Sequence, residues 1–271
     1  MKHFRRCVSL RSILVAIVAS ILTALTSAAA GQQPGVLPRA EVIVARHMEA
    51  IGGMDAYKSI QSVHARGSLE IPAQGIVAAF ELFTARPSRM LYRVNVPGVG
   101  RIENGYDGQV GWSDNPISGP EILAGRQLVE AAEDAWFDGP LREPSRVRRM
   151  TTVEETAFDG RQAYRVLVEF RSGREQFDFF DTQTGLQIGS EASRATPQGV
   201  VPTVNVLRNY RRFGAVLQAT TFVQRAMGFE QVVTLTSCEY DKVPEATFVL
   251  PPAVAARSEE HTSELQSPDH L

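Results

Sequence analysis

Cysteine is almost missing from this chain of 271 residues: Cys7 and Cys238 are the only two, too few for a disulfide framework. Histidine is scarce as well, and between residues 31 and 256 only His47 and His64 occur. The sequence has no His-Glu-x-x-His, no paired Cys-x-x-Cys, no Gly-x-Ser-x-Gly and no phosphate-binding Gly-rich loop ending in Lys-Ser or Lys-Thr. Zinc-dependent proteolysis, the nucleophile-elbow hydrolases and nucleoside-triphosphate chemistry therefore have nothing to stand on. An excess of one charge is also absent, with 28 Lys and Arg against 30 Asp and Glu and a formal net charge of −2. That balance argues against a nucleic-acid binder, which needs a basic footprint. No repeat of fixed period runs through the chain, so it is not a solenoid or a propeller.

Long apolar runs are lacking too, with one short exception. Lys2, Arg5, Arg6 and Arg11 precede Ile13–Leu25, and Thr26-Ser27-Ala28-Ala29-Ala30 comes after. A basic start, an apolar centre and small residues at the end read as a secretory signal peptide over residues 1–30, cut near Ala30. The run is shorter than the ~20 residues a membrane-spanning helix needs, and Cys7 precedes it, which makes it a poor site for lipid attachment. The expectation is a periplasmic protein with no stable membrane span after cleavage. Residues 31–38 read as a flexible leader. At the other end, the stretch that begins Arg257-Ser258-Glu259-Glu260-His261 and runs to Leu271 resembles the direct translation of a sequencing adapter. Residues 257–271 are therefore taken as a non-native tail, and His261 and His270 are set aside.

The remaining stretch, 39–256, is expected to form one domain. Arg39–Ile51 carries Val42, Ile43, Ala45, Met48 and Ile51 at helical spacing, stopped by Gly52-Gly53, with Met54–Ile60 as a short second helix. Period-2 segments then come at Val63–Ile71, Ile76–Thr84, Met90–Val96 and Gly100–Tyr106. Tyr106-Asp107-Gly108 leads into Trp112-Ser113, and Asp-Gly between alternating segments is a strong hairpin signal. Glu121–Asp134 reads as a helix, and the Pro-containing link Gly139–Ser145 as a hinge. A second set of strands is predicted at Val147–Phe158, Ala163–Phe170, Glu175–Asp181, Leu186–Ala195, Thr203–Arg212, Val216–Arg225 and Phe229–Tyr240. Ten or more antiparallel strands with short turns rarely stay flat. The predicted fold class is α+β: a single large curved antiparallel sheet, an incomplete β-barrel, with helices covering its concave face.

No catalytic residue stands out. His64 falls on the wet face of its strand, Asp178 and Asp181 read as solvated strand carboxylates, and Cys238 reads as a packed or half-buried thiol. A lipid-ester hydrolase would need a nucleophile beside a base, and His47 and His64 are the only histidines on offer. The positive signal is apolar. Leu69, Phe80, Leu82, Tyr92, Ile102, Trp112, Phe177 and Phe179 sit on strands, and Ile122, Leu123, Leu128, Trp136 and Phe137 on or beside the helix. A wide curved sheet has more concave surface than a few short helices can fill, so these thirteen residues are the candidate lining of an apolar cavity and its lid.

The order of these features resembles a known family. A signal peptide, a helix ending in Gly-Gly, a strand of the type Val63–Ile71, Gly105-Tyr106-Asp107-Gly108 with Trp112-Ser113, and a helix after Pro120 come in sequence. Phe158-Asp159-Gly160 before Tyr164-Arg165-Val166, Phe179–Gly185 and the closing Phe248-Val249-Leu250-Pro251 complete the set. This is similar to the LolA/LolB-like periplasmic lipoprotein-carrier superfamily, in its outer-membrane lipoprotein-sorting-like branch, over nearly all of Arg39–Pro252. The resemblance implies a soluble, non-enzymatic carrier or chaperone that holds lipid or lipoprotein acyl chains. It also implies no cofactor or metal, no nucleic acid, a monomer, and possible inner- or outer-membrane protein partners. An envelope-stress sensor or protein-partner-binding domain on the same fold is the alternative. The latch arginine of such carriers has no unique match, with Arg66, Arg89, Arg93 and Arg101 all open.

Overall fold

The computed structural model describes residues 36–196 and 199–257. The expected signal peptide, residues 31–35 of the leader and the tail beyond residue 257 lie outside these. The body from Leu37 onward begins with helix α1, Ala40–Ala50, which ends at Gly52 and Gly53 in positive φ, and the one-turn helix α2, Met54–Lys58. Strands β1 (Ser62–Ile71), β2 (Ile76–Ala85), β3 (Arg89–Val96), β4 (Gly100–Tyr106), β5 (Gly111–Asn115) and β6 (Gly119–Ile122) continue as a meander. Helices α3 (Gly125–Asp134) and α4 (Gly139–Arg142) interrupt the sheet. The chain then lays down β7 (Arg149–Phe158), β8 (Arg161–Glu169), β9 (Glu175–Asp181), β10 (Gln187–Thr196) and β11 (Gly199–Arg208). After these come β12 (Arg211–Phe213), β13 (Val216–Gln218), β14 (Thr221–Ala226) and β15 (Phe229–Tyr240).

Thirteen of these strands make one antiparallel sheet in the order β6-β5-β4-β3-β2-β1-β15-β14-β11-β10-β9-β8-β7. The two meanders are joined at the centre by β1 and β15, the first and last strands in sequence, from Val63 opposite Tyr240 to Glu70 opposite Val232. A bulge interrupts that seam between Arg66 and Gly67. A side chain at Gly67 would place its Cβ 1.9 Å from the Thr234 carbonyl oxygen, so the close backbone approach there admits only glycine.

The sheet is open, and its curvature is visible in what α3 touches. That helix packs on β4 and β5 near one edge and on β10 near the other. A flat sheet would hold those strands far apart, since neighbours are spaced ~4.8 Å. The concave face carries the core. Residues Ile43, Val44, Met48 and Ile51 of α1 pack on Val166 and Phe180, while Ala65, Leu69, Phe80, Val94, Val233 and Leu235 pack together along β1, β2, β3 and β15.

Three boundaries differ from the sequence pattern. The helix expected from Glu121 starts only at Gly125, because residues 119–122 pair with β5 as a four-residue edge strand. Ala124 before it is fully extended, and Pro120 is tolerated because an edge strand can spare a donor. The single strands expected over 203–212 and 216–225 are each broken in two. Asn209, in the left-handed region at φ 55°, turns the chain, and β12 and β13 form a separate hairpin between β11 and β14.

Candidate functional site

A cavity of about 340 Å³ lies inside the curve of the sheet. Its floor is built from strands: Val63 and Ala65 of β1, Leu82 and Thr84 of β2, Leu207 of β11, Phe222 of β14 and Tyr240 of β15. These residues fall on one face because side chains alternate along each strand, and the register sets Ala65 beside Leu82 and Val63 beside Tyr240. The walls come from helices: His47, Met48 and Ile51 of α1, Tyr57 of α2, Trp136 and Phe137 after α3, and Leu141 and Arg142 of α4. Tyr210, Leu217 and Gln218 of the β12–β13 excursion close one side. The two broken strands therefore have a use: the hairpin folds in to border the cavity.

The polar groups gather at one part of the wall. The Arg142 guanidinium lies 4.6 Å from the centre of the Tyr57 ring and donates to the Phe137 carbonyl at 2.7 Å. Burial lowers its proton affinity, with Tyr57 and Asp138 opposing and Arg86 adding to the drop. Burial also pushes the Tyr57 hydroxyl up to about 12, and raises Tyr210 and Tyr240. All three stay neutral phenols. Tyr210 donates to the Gln187 carbonyl at 2.5 Å, whereas the Tyr240 hydroxyl meets only the Cys238 thiol two residues away on its own strand.

His47 is buried beside them and is lowered to about 4, first by desolvation and further by Arg142; a hydrogen bond to the Gly185 backbone works the other way. Its Nδ1 accepts the Gln187 N–H at 3.1 Å and its ring meets Phe180 edge-on at 5.4 Å. A neutral imidazole with this engagement holds α1 on the sheet, a structural task. His64 is on the opposite face, 3.0 Å from Glu81 and stacked at 4.1 Å on Phe83. Among the described residues neither histidine is hydrogen-bonded to a serine, threonine or cysteine, and no cluster of His, Cys, Asp and Glu could hold a metal ion.

One side of the cavity is a lid tied down by ion pairs. Residues Glu133 and Asp134 at the end of α3 are gripped by Arg174, at 2.8 Å each, and Asp134 also by Arg194 at 2.8 Å. Glu130 accepts the Ala195 N–H at 2.9 Å. On the far side, the Phe137 N–H donates to the Pro87 carbonyl and Ser88 Oγ to the Ala132 carbonyl. Arg86 fastens two elements at once. It donates to the carbonyls of Ile60 at 2.7 Å and Tyr57 at 3.2 Å, pairs with Asp138 between α3 and α4, and lies 4.7 Å over the Phe137 ring.

Arg66, Arg89, Arg93 and Arg101, the arginines open in the sequence, each carry an ion pair of their own. Arg66 pairs with Glu239 at 3.3 Å, Arg93 and Arg101 with Glu103 at 2.5 and 3.5 Å, and Arg89 with Glu245 at 3.1 Å. In the sequence Arg86-Pro87-Ser88 reads as a turn, which gives no hint of what the Arg86 side chain will meet.

The thirteen residues expected around the cavity separate into four groups. Leu82, Trp136 and Phe137 line it. Leu69, Phe80 and Tyr92 share its face but fill the core further along, with Phe80 and Tyr92 in edge contact at 5.2 Å, and Ile102 pairs with Val94 on that face. Leu123 and Leu128 cover the Gly111 end of that face. The other four are on the opposite side. Trp112 and Ile122 alternate out of phase with Gly111 and Leu123, and are packed with Phe83, Leu91, Phe248 and Val254 beneath the C-terminal segment. Phe177 and Phe179 pair across from Leu167 and Arg165, out of phase with Phe180, and Arg165 lies 3.8 Å over the Phe177 ring. An aromatic on a strand points inward or outward by register alone, which composition does not reveal.

A second, larger hollow of about 660 Å³ lies outside α1, bordered by Val44, Met48, Met54, Leu141, Arg142, Val147 and Met150. Met48, Leu141 and Arg142 border both spaces and so form the partition between them.

No family model matches the chain, and no curated protein matches it in sequence. Solved structures do match in fold. A DUF1329 family protein from Desulfovibrio piger superposes with a TM-score of 0.51 at 14% identity, over 77% of this chain and 95% of that one. A LolA superfamily protein from Nitrosomonas europaea gives 0.51 at 12%, over 79% and 99%. A domain assigned to outer-membrane lipoprotein sorting, from Vibrio parahaemolyticus, gives 0.51 at 14%, over 77% and 95%. The fold of this chain is LolA-like.

Proposed function

From this LolA-like fold we propose that the chain is a non-enzymatic carrier that shields an acyl chain in the cavity under α3 and α4, acting in the periplasm after export. The observation that carries the proposal is the cavity itself: about 340 Å³, walled mainly by apolar side chains, and closed by a segment held through ion pairs beside the packing of Trp136 and Phe137. Apolar cavities of this kind suit hydrocarbon, and each buried methylene contributes about 0.8 kcal/mol. At ~30 Å³ per water-sized volume, 340 Å³ takes on the order of ten methylenes, worth roughly 8 kcal/mol before ordering costs. The fold likeness to a lipoprotein-sorting domain brings lipoprotein acyl chains in as the cargo beside free lipids. Among the described residues no helix is long and apolar enough to cross a membrane.

Native mass spectrometry with lipid extraction, on the chain purified from a bacterial periplasm, tests this. A co-purified lipid or acylated peptide at near one-to-one is expected. A clean apo mass with no binding of a fluorescent fatty-acid probe would overturn it. A partner-binding role on the same fold is the second reading. The observation favouring it is the outer hollow of about 660 Å³ beside α1, which is larger than the interior cavity and opens next to the edge strand β7.

A further inference from the structure

Asp134 and Arg142 are the two side chains bordering the interior cavity, among the described residues, that are ionised near neutral pH. Asp134 is matched twice over, by Arg174 and Arg194. Arg142 is not matched. The carboxylate that stabilises its charge is Asp138, at 3.9 Å, and Arg86 holds that same carboxylate in a much closer contact. Two guanidiniums therefore share one carboxylate, leaving one positive charge over at the cavity wall. The Arg142 Nε is buried and has no hydrogen-bond partner, and the hydroxyl of Tyr240, which lines the same cavity, has only the weak Cys238 thiol of its own strand beside it. The Arg142 side chain is a quarter exposed, yet its buried Nε–H is left unused, and a negative group would complete it.

We propose that the cavity selects a single-chain amphiphile with an anionic head, its hydrocarbon against Leu82 and Phe222 and its head on Arg142 and the Tyr240 hydroxyl. This rests on the carrier reading above and adds the chemistry of the cargo. Arg142 also stands in the partition between the cavity and the outer hollow, so a head placed there is at the exit of the cavity while the chain lies inside. The volume suits one chain of on the order of ten methylenes. A carboxylate and a phosphate monoester both satisfy a guanidinium fork, so the shared chemistry is a compact oxyanion on one alkyl chain.

Isothermal titration of the purified full chain with four dodecyl probes tests this: dodecanoate, its methyl ester, dodecyl phosphate and dodecyltrimethylammonium. Dodecanoate or dodecyl phosphate should bind at least tenfold more tightly than the ester, and the ammonium probe more weakly than the ester. The tighter of the two anions tells a carboxylate source from a phosphate headgroup. In Arg142→Gln the preference for the anion over the ester should vanish while ester affinity holds, and Arg142→Lys should restore part of it. Tyr240→Phe, which keeps the ring in place, should weaken anion binding roughly fivefold and leave the ester unchanged. Equal affinity for acid and ester in the wild type, or a preference that survives Arg142→Gln, overturns the head-group assignment while leaving the carrier standing. Failure of all four probes to bind overturns both.

Discussion

Asp178 gives a test whose sign changes with pH. The residue is on β9 with its side chain on the concave face, 1% exposed. Gln176 Nε2 donates to its Oδ1 at 2.7 Å, and the Gln187 side chain also approaches the carboxylate. Burial drives its pKa from 3.8 up to about 6, against smaller downward pulls from Gln176, Gln187 and Arg174. The folded state therefore holds a proton between about pH 4 and 6 that the unfolded chain has released. The stability this confers is complete below 3.8 and is lost as pH rises through 6.

By pH 8 the loss corresponds to about 3 kcal/mol, at 1.36 kcal/mol per pKa unit. Asp178→Asn removes the charge, keeps the acceptor for Gln176, and adds an amide N–H₂ in place of Oδ2. Leaving that donor unpaired costs about 1 kcal/mol. The variant should therefore be more stable than wild type by about 2 kcal/mol at pH 8 and less stable by about 1 kcal/mol at pH 3.5. In urea the midpoint should move up by about 0.7–1 M at pH 8, for a slope near 2–3 kcal/mol per M. His47 titrates in the opposite sense, since its pKa is lowered from 6.5 to about 4 and its neutral form is lost as pH falls through that value. That effect is common to both proteins and cancels in the difference. Urea unfolding of both at the two pH values is the assay. A difference that does not vary with pH, or a variant clearly less stable at pH 8, would refute the buried-charge account.

Three further outcomes rest on single side chains. Arg86→Ala removes the bond to Asp138 and those to the Ile60 and Tyr57 carbonyls, so amide exchange over residues 125–142 should accelerate at least tenfold, and Arg86→Lys should restore it only partly. Unchanged protection there would mean that the lid is held by other contacts. Trp112→Ala should cost 3–5 kcal/mol of stability without altering apolar-probe binding in the folded protein, while Trp136→Ala should weaken that binding, because only Trp136 borders the cavity. Equal effects on binding would contradict the placement of the two rings on opposite faces. Gly67→Ala should destabilise by more than 3 kcal/mol in thermal or urea melts, because its Cβ meets the Thr234 carbonyl at the bulge; a near-neutral result would show that the β1–β15 seam can move.

Much of the fold could be read from the chain. Period-2 alternation marked β1 to β4 and β7 to β10 nearly to their ends, Gly52-Gly53 stopped α1, and Asp107-Gly108 turned β4 into β5. These are local properties: a strand with one dry face must alternate, and a turn at positive φ favours glycine. The sequence by itself thus determined the fold class and the absence of the familiar catalytic and phosphate-binding motifs. It also supplied most of the apolar side chains, without saying which way the aromatics of β5 and β9 would face. Only the tertiary structure decided that β1 would pair with β15, that β12 and β13 would leave the sheet, and that Trp112 would lie under Phe248 and Val254 while Trp136 borders the cavity. Only it decided that Arg86 and Arg142, from a turn and a four-residue helix, would meet over Asp138. The physical reason is separation along the chain. Register across a long-range seam and the pairing of distant charges depend on groups tens to more than a hundred residues apart, and no window of neighbouring residues contains both partners.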